Sequence, residues 1–201
     1  AIIPLVATPI SVPVGIMAAV YLVEYGKGNR LARVLTFLVD VMTGIPSIVA
    51  GLFALALFTL LLGPLPRIAI GGSIALSVLM IPIVVRSTEE MLKLVPDELR
   101  EGAYALGVPK WRMITKVVLP TALGGIITGA PLAVARVAGE TAPLLLIAGT
   151  LRSINTNPFD GAMQTLPVLI FSEATKGGAK PEYLAAQIER AWGAALVLII
   201  I

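Results

Sequence analysis

The chain has 201 residues, 57% hydrophobic and only 13% charged, with a mean hydropathy of +0.94 and a net charge of +3. Soluble domains are about half apolar and about a quarter charged, and a chain this short cannot hide an uncharged run such as Val41 to Pro66 in a soluble core. The absence of Cys and His excludes thiolate nucleophiles, disulfides, zinc clusters and imidazole acid–base catalysis. With 5% aromatic residues and no basic stripe interleaved with them, the positive charge is not a nucleic-acid signature.

The apolar residues fall in runs of about 20, the length of bilayer-spanning helices, so the predicted fold class is an all-α, polytopic transmembrane helix bundle. The first segment runs from Ile2 to Tyr21, with Pro4, Pro9 and Pro13 predicting a kinked or irregular N-terminal part. The second is Val34 to Leu62 with Pro46 inside it, where Thr43 and Ser47 are placed to bond freed carbonyls. The third is Ile68 to Val85, with Pro82 near its end and Glu89 and Glu90 in the solvated end beyond. The fourth, Val117 to Ala148, carries Pro120, Pro131 and Pro143, and the fifth begins near Tyr183.

The last uninterrupted apolar run, Ala191 to Ile201, would span about 16 Å as a helix, short of a core of about 30 Å. One transmembrane domain over 1–201, incomplete at both ends, is expected. Within the 150–182 connection, the apolar run Gln164 to Phe171 is too short to span and suits a re-entrant or interfacial piece.

Positive charges set the orientation. Lys27, Arg30, Arg33, Arg86, Lys93, Arg100, Lys110, Arg112 and Lys116 fall on one side, against Arg67, Arg152, Lys176 and Lys180 on the other. Nine against four puts the 93–116 loop in the cytoplasm and the 150–182 connection outside. Asp40 and Arg86 sit at membrane edges and read as interfacial or interhelical contacts; Glu189 and Arg190 read as interfacial anchors.

The 93–116 loop has its own local grammar. Pro96 suits a first helical position, and Asp97 and Glu98 complement the positive end of the helix dipole. Gly107 suits the left-handed position that ends a helix, and Pro109 can open a second one. Leu99, Ala103 and Leu106 share a face, and Gly102, Ala103 and Ala105 leave room for a partner surface.

The run Glu101-Gly102-Ala103-x₃-Gly107-x₉-Val117-x-Leu119-Pro120 resembles the cytoplasmic "EAA" loop of bacterial ABC importer permeases, departing from it only at Gly102, where Ala is usual. The resemblance implies a permease fold of the type I importer kind in a cell (inner) membrane. Glu101, Gly102, Ala103, Gly107, Leu119 and Pro120 would belong to a coupling helix that docks on a separate ATPase subunit. The chain has no Gly-x₄-Gly-Lys-(Ser/Thr) phosphate loop. It is therefore expected to be a transport subunit, not an enzyme, with no cofactor of its own; ATP and Mg would sit on the partner.

Two further stretches, Gly44 to Phe53 and Ala135 to Leu144, are similar to the phosphate importer permeases. This implies as partners a homologous permease subunit, a dimer of ABC ATPases, an extracytoplasmic phosphate-binding protein and the phospholipid membrane, with no nucleic acid.

Arg136 lies about 24 Å along a helix from Pro120. Ionised groups at that depth cost about 3 kcal/mol or more each and face a pathway or one another. Their spacing places Arg136 and Glu140 on one helical face. Either Arg136, with Glu140 and Thr141, meets a phosphate oxygen in the translocation path, or the two form a structural ion pair. Permeases for molybdate, sulfate or phosphonate would share the loop, whereas a membrane enzyme or an ion channel would not account for it.

Overall fold

The computed structural model describes residues 2–63, 69–151, 155–159, 161–175 and 181–200, the side chains of 62 and 181–183 excepted. Every regular element among them is helical: α1 (Ile2–Val20, running on into a π turn, Tyr21–Tyr25), α2 (Arg30–Gly44), α3 (Ser47–Leu62), α4 (Ala69–Lys93), α5 (Asp97–Ala105), α6 (Lys110–Met113, followed by a second π turn, Ile114–Val118), α7 (Leu119–Ala138), α8 (Ala142–Ile147), α9 (Leu166–Thr175) and α10 (Pro181–Ile200). Among the described residues, three continuous stretches are long and apolar enough to cross a membrane: Ile2–Tyr25, Ala69–Lys93 and Lys110–Ala138. Arg67, Arg152, Lys176 and Lys180, which carry one side of the charge asymmetry, lie outside the described residues.

The structure corrects four predicted segments. The first stays helical through Pro9 and Pro13, and its irregularity is the π turn at the other end. The second is two helices, not one. Pro46 adopts φ −57°, ψ 133°, has no N–H to donate, and offers its carbonyl to Val49 and Ala50, so α3 starts afresh there. Thr43 bonds the Asp40 carbonyl at 2.8 Å, while Ser47 makes no such bond among the described residues. The third segment continues eight residues further, to Lys93, because its charged end is neutralised internally. The fourth starts earlier, at Lys110, and stops at Ala138, with α8 separate.

Two compact units make up the chain. One comprises Thr8–Gly44 and Val78–Ala135. Its core gathers Ala19 of α1, Val85 and Leu92 of α4, Ala103 of α5, Met113 of α6 and Val118 of the second π turn, with Ala122 and Ile126 of α7. Beside it, Arg86 pairs with Asp40 of α2 and, at 2.7 Å, with Glu89, which also receives Lys93 at 2.7 Å. Glu89 is therefore buried, contrary to the solvated position expected of it, because two cations replace its water shell. Arg86 and Asp40 make the interhelical contact expected of them.

The other unit comprises Ala1–Ala7, Ile45–Ser77 and Arg136–Ile201. Ile3, Leu76, Leu144 and Val168 are fully buried in it, α3 packs on α8, and α9 packs on α10. The carbonyls of Pro158 and Gly161 accept the first backbone N–H groups of α4, from Ile70 at 2.9 Å and Ala69 at 3.3 Å. The loop thus satisfies donors that a helix N-terminus leaves unmatched. Ten-residue α9 fits the short non-spanning piece predicted around Gln164 to Phe171. Arg190 pairs with Glu173 of α9 at 3.4 Å, so it ties two helices together instead of acting only as an interfacial anchor.

Candidate functional site

The 93–116 loop folds almost entirely from local signals. Pro96, with ψ 141°, stands just before the helix, one position earlier than expected, and leaves Asp97 and Glu98 to open α5. At the far end Gly107 takes φ +72°, a conformation that costs any residue with a Cβ about 1–2 kcal/mol. Gly107 N–H donates to Tyr104 O at 2.9 Å and Val108 N–H to Ala103 O at 3.1 Å, which together form a Schellman cap. Pro109 is extended and starts α6 by accepting from Arg112 and Met113. The predicted second short helix is in fact the head of a 29-residue stretch, Lys110–Ala138.

Leu119 and Pro120 explain the second π turn. Pro120 has no N–H for the carbonyl four residues back, and just ahead of it Leu119 N–H reaches Ile114 O across the wider turn.

Only one member of the expected apolar face of α5 points inward. Ala103 is buried in the core, whereas Leu99 is 42% and Leu106 83% exposed. Glu101, Gly102, Tyr104, Ala105 and Gly107 are exposed as well. The loop is therefore a helical corner pinned by Ala103 and Val108 that turns most of its side chains outward. A Cβ built on Gly102 meets nothing within 4 Å. Gly102→Ala is expected to raise the unfolding free energy of the purified subunit in detergent by about 1 kcal/mol, through helix propensity alone. The same change at Gly107 should lower it by about 1–2 kcal/mol. Thermal melts of the two variants, run side by side, should move in opposite directions.

Arg100, Glu24 and Lys110 were legible in the sequence only as charges. In the structure Arg100 bonds Glu24 at 3.0 Å, Asp97 at 2.9 Å, and the carbonyls of Leu92 and Val95 at 2.9 and 2.7 Å. Lys110 donates to the Glu24 carbonyl and lies 4.6 Å from the Tyr25 ring centre.

The second predicted site is arranged differently from the expectation. α7 ends at Ala138 and closes with Gly139 N–H on Arg136 O and Glu140 N–H on Val137 O. Glu140 therefore leaves the helical face that Arg136 occupies, and the two do not pair among the described residues. Arg136 is exposed and Glu140 half-buried, and neither side chain has a hydrogen-bonded partner among the described residues. Thr141 precedes α8 and its backbone carbonyl accepts from Leu145 at 2.9 Å. An exposed guanidinium, a carboxylate and a hydroxyl thus stand at a break between helices, a set able to meet an oxyanion.

Behind that break, Pro143 is buried and α8 lies against α3 so closely that a Cβ on Gly51 would be 2.7 Å from Pro143 Cα. The two stretches that resemble phosphate permeases, 44–53 and 135–144, are in contact here. No spacing along the chain signals that contact.

Residues 11–201 match the family described as binding-protein-dependent transport system inner membrane component, and the chain belongs to that family. It is 56% identical over 196 residues to "Phosphate transport system permease protein PstA" of Mycobacterium leprae (strain TN), which covers 98% of this chain and 62% of that protein. The protein of the same name in Yersinia pestis is 47% identical over 180 residues, covering 89% of this chain and 60% of that protein. The chain spans about three fifths of the length of these curated relatives. Among solved structures, a chain from "Inward facing conformations of the MetNI methionine ABC transporter" superposes with a TM-score of 0.74 at 19% identity, covering 98% of this chain and 87% of that one. The expected all-α importer permease fold is therefore the fold observed, and the protein is a multi-pass cell-membrane protein.

Proposed function

We propose that the chain forms the membrane-spanning core of the permease subunit of an ATP-driven importer of inorganic phosphate. The observation that carries this reading is the joint presence of the EAA-type corner and 40–56% identity to proteins named as phosphate permeases. Its partners would be a homologous permease, a dimer of cytoplasmic ABC ATPases holding ATP and Mg, and an extracytoplasmic phosphate-binding protein. The 93–116 loop would face the ATPase, and the 150–182 connection the opposite side. The subunit itself would catalyse no reaction; ATP-driven closure of the ATPases would act on the corner around Glu101 to Gly107 and switch the helices between inward and outward access.

Arg136, Glu140 and Thr141 are the proposed pathway groups. Arg136 would offer paired N–H donors to a phosphate oxygen, while Glu140 limits how tightly the anion is held. Losing a charged hydrogen bond of about 1.5–3 kcal/mol should lower uptake about ten- to a hundredfold in Arg136→Gln. The test is ATP-dependent uptake of labelled phosphate by the complete transporter in liposomes, with sulfate and molybdate as competitors. Uptake by Arg136→Gln at the unaltered rate would remove that residue from the pathway. Uptake blocked by another oxyanion would replace phosphate, and flux without ATP would overturn the importer.

A further inference from the structure

Glu24 and Arg100 are 76 residues apart in sequence and belong to different kinds of element. Glu24 is in the π turn that ends the first apolar helix, and its side chain is 5% exposed. Arg100 is in the middle of α5, and its side chain is 14% exposed. The guanidinium spends its donors in three directions: Nε and Nη2 on the Glu24 carboxylate, Nη2 also on Leu92 O, and Nη1 on Val95 O and Asp97. Leu92 and Val95 are at the end of α4 and just beyond it, where the Leu92 carbonyl accepts only a long 3.4 Å bond from Val95 N–H besides the guanidinium's. One planar, five-donor side chain thus holds α5 to the ends of both α1 and α4, which the single point charge of a lysine cannot do.

The other limb of the corner grips the same turn. Lys110, at the head of α6, donates to the Glu24 backbone carbonyl and stacks its charge on Tyr25. Both limbs therefore converge on residues 24 and 25. A buried carboxylate with its cation removed is costly, so opening of the joint is opposed.

We infer that Arg100 and Glu24 are positioning residues that make α5 move as one body with α1, so that force applied to the corner reaches the membrane. This rests on the proposed coupling role of the loop. The experiment uses the full-length permease, co-expressed with its partners and reconstituted in liposomes, and measures phosphate imported per ATP hydrolysed. In Arg100→Gln that ratio is expected to fall at least tenfold while ATP hydrolysis continues and the complex still co-purifies whole. Arg100→Lys, which keeps the charge on Glu24 but not the fork to Leu92 and Val95, should fall between.

Should Arg100→Gln fail to assemble, Glu24→Gln, equal in size and still able to accept a hydrogen bond, gives the same measurement. Uptake and hydrolysis falling in parallel, with an unchanged ratio, would overturn the coupling role, and so would failure of both variants to assemble. Absence of ATP-driven uptake in the unaltered transporter would overturn the functional reading and this inference with it. An unaltered transporter that imports phosphate beside an Arg100→Gln variant with the same ratio would overturn this inference alone.

Discussion

Leu92→Ala should lower the unfolding free energy of the subunit by about 3 kcal/mol, within the range of about 2–5 seen for large-to-small core changes. Leu92 is fully buried and lies where α4 meets the α5–α6 corner, in the cluster that includes Ala103, Met113 and Val118. Close to a membrane the surrounding lipid is as apolar as leucine, so the transfer part of the effect shrinks. The packing part survives, because the lining atoms of the cavity lose partners whatever the solvent. Leu106→Ala is the internal control. The same side chain there is 83% exposed, and its removal should change stability by no more than about 0.5 kcal/mol. Chemical denaturation of both variants in one detergent measures the difference directly. Equal losses would mean that the corner is not held from beneath by this core. On the proposed function the two should exchange importance: Leu106→Ala should weaken ATPase association while leaving the subunit stable.

The contrast between these two leucines shows what the sequence can and cannot express. Pro96, Asp97, Glu98, Gly107 and Pro109 are read by their own backbone preferences, and the corner forms where they place it. Periodicity put Leu99 and Leu106 on one face with Ala103, but it could not decide which of the three meets a core and which meets solvent. That depends on Met113 and Leu92, which come from other elements. Apolar runs likewise located the membrane segments while misplacing their ends. Glu89 reads as solvated because the count of charges does not reveal that Arg86 and Lys93 neutralise it along α4. Arg136 and Glu140 were predicted to share a face on the assumption of a continuous helix, and the turn at Gly139 removes it. Pro46 and the residue before Pro143 carry the backbone signals for breaks. The Arg100–Glu24 joint is the limiting case, since a contact between distant segments leaves no periodic trace.

Gly51→Val should be the most damaging single change in the other unit. On Gly51 an added Cβ would stand 2.7 Å from Pro143 Cα, 3.0 Å from its Cβ and 3.4 Å from its N. Two of those atoms are backbone, and the third belongs to a rigid ring, so no flexible side chain can swing aside. Small residues allow helix backbones this near in membranes, where packing drives association. Gly51→Ala gains about 1 kcal/mol of helix propensity against about 1–3 kcal/mol of overpacking, so it should destabilise by about 1 kcal/mol. Valine surrenders most of the propensity gain and adds two methyl groups to the clash, which raises the expected loss to about 3 kcal/mol. Gly124→Ala supplies the comparison: this glycine is also inside a helix, but nothing lies within 4 Å of its added Cβ. It should gain up to about 1 kcal/mol. If Gly51→Val melted with the unaltered protein, the close α3–α8 contact would not exist in the membrane. On the proposed function, if it melted early and also lost phosphate uptake more steeply than Gly51→Ala, the contact would be what sets Arg136, Glu140 and Thr141 at the helix break, with Pro143 as the fixed point.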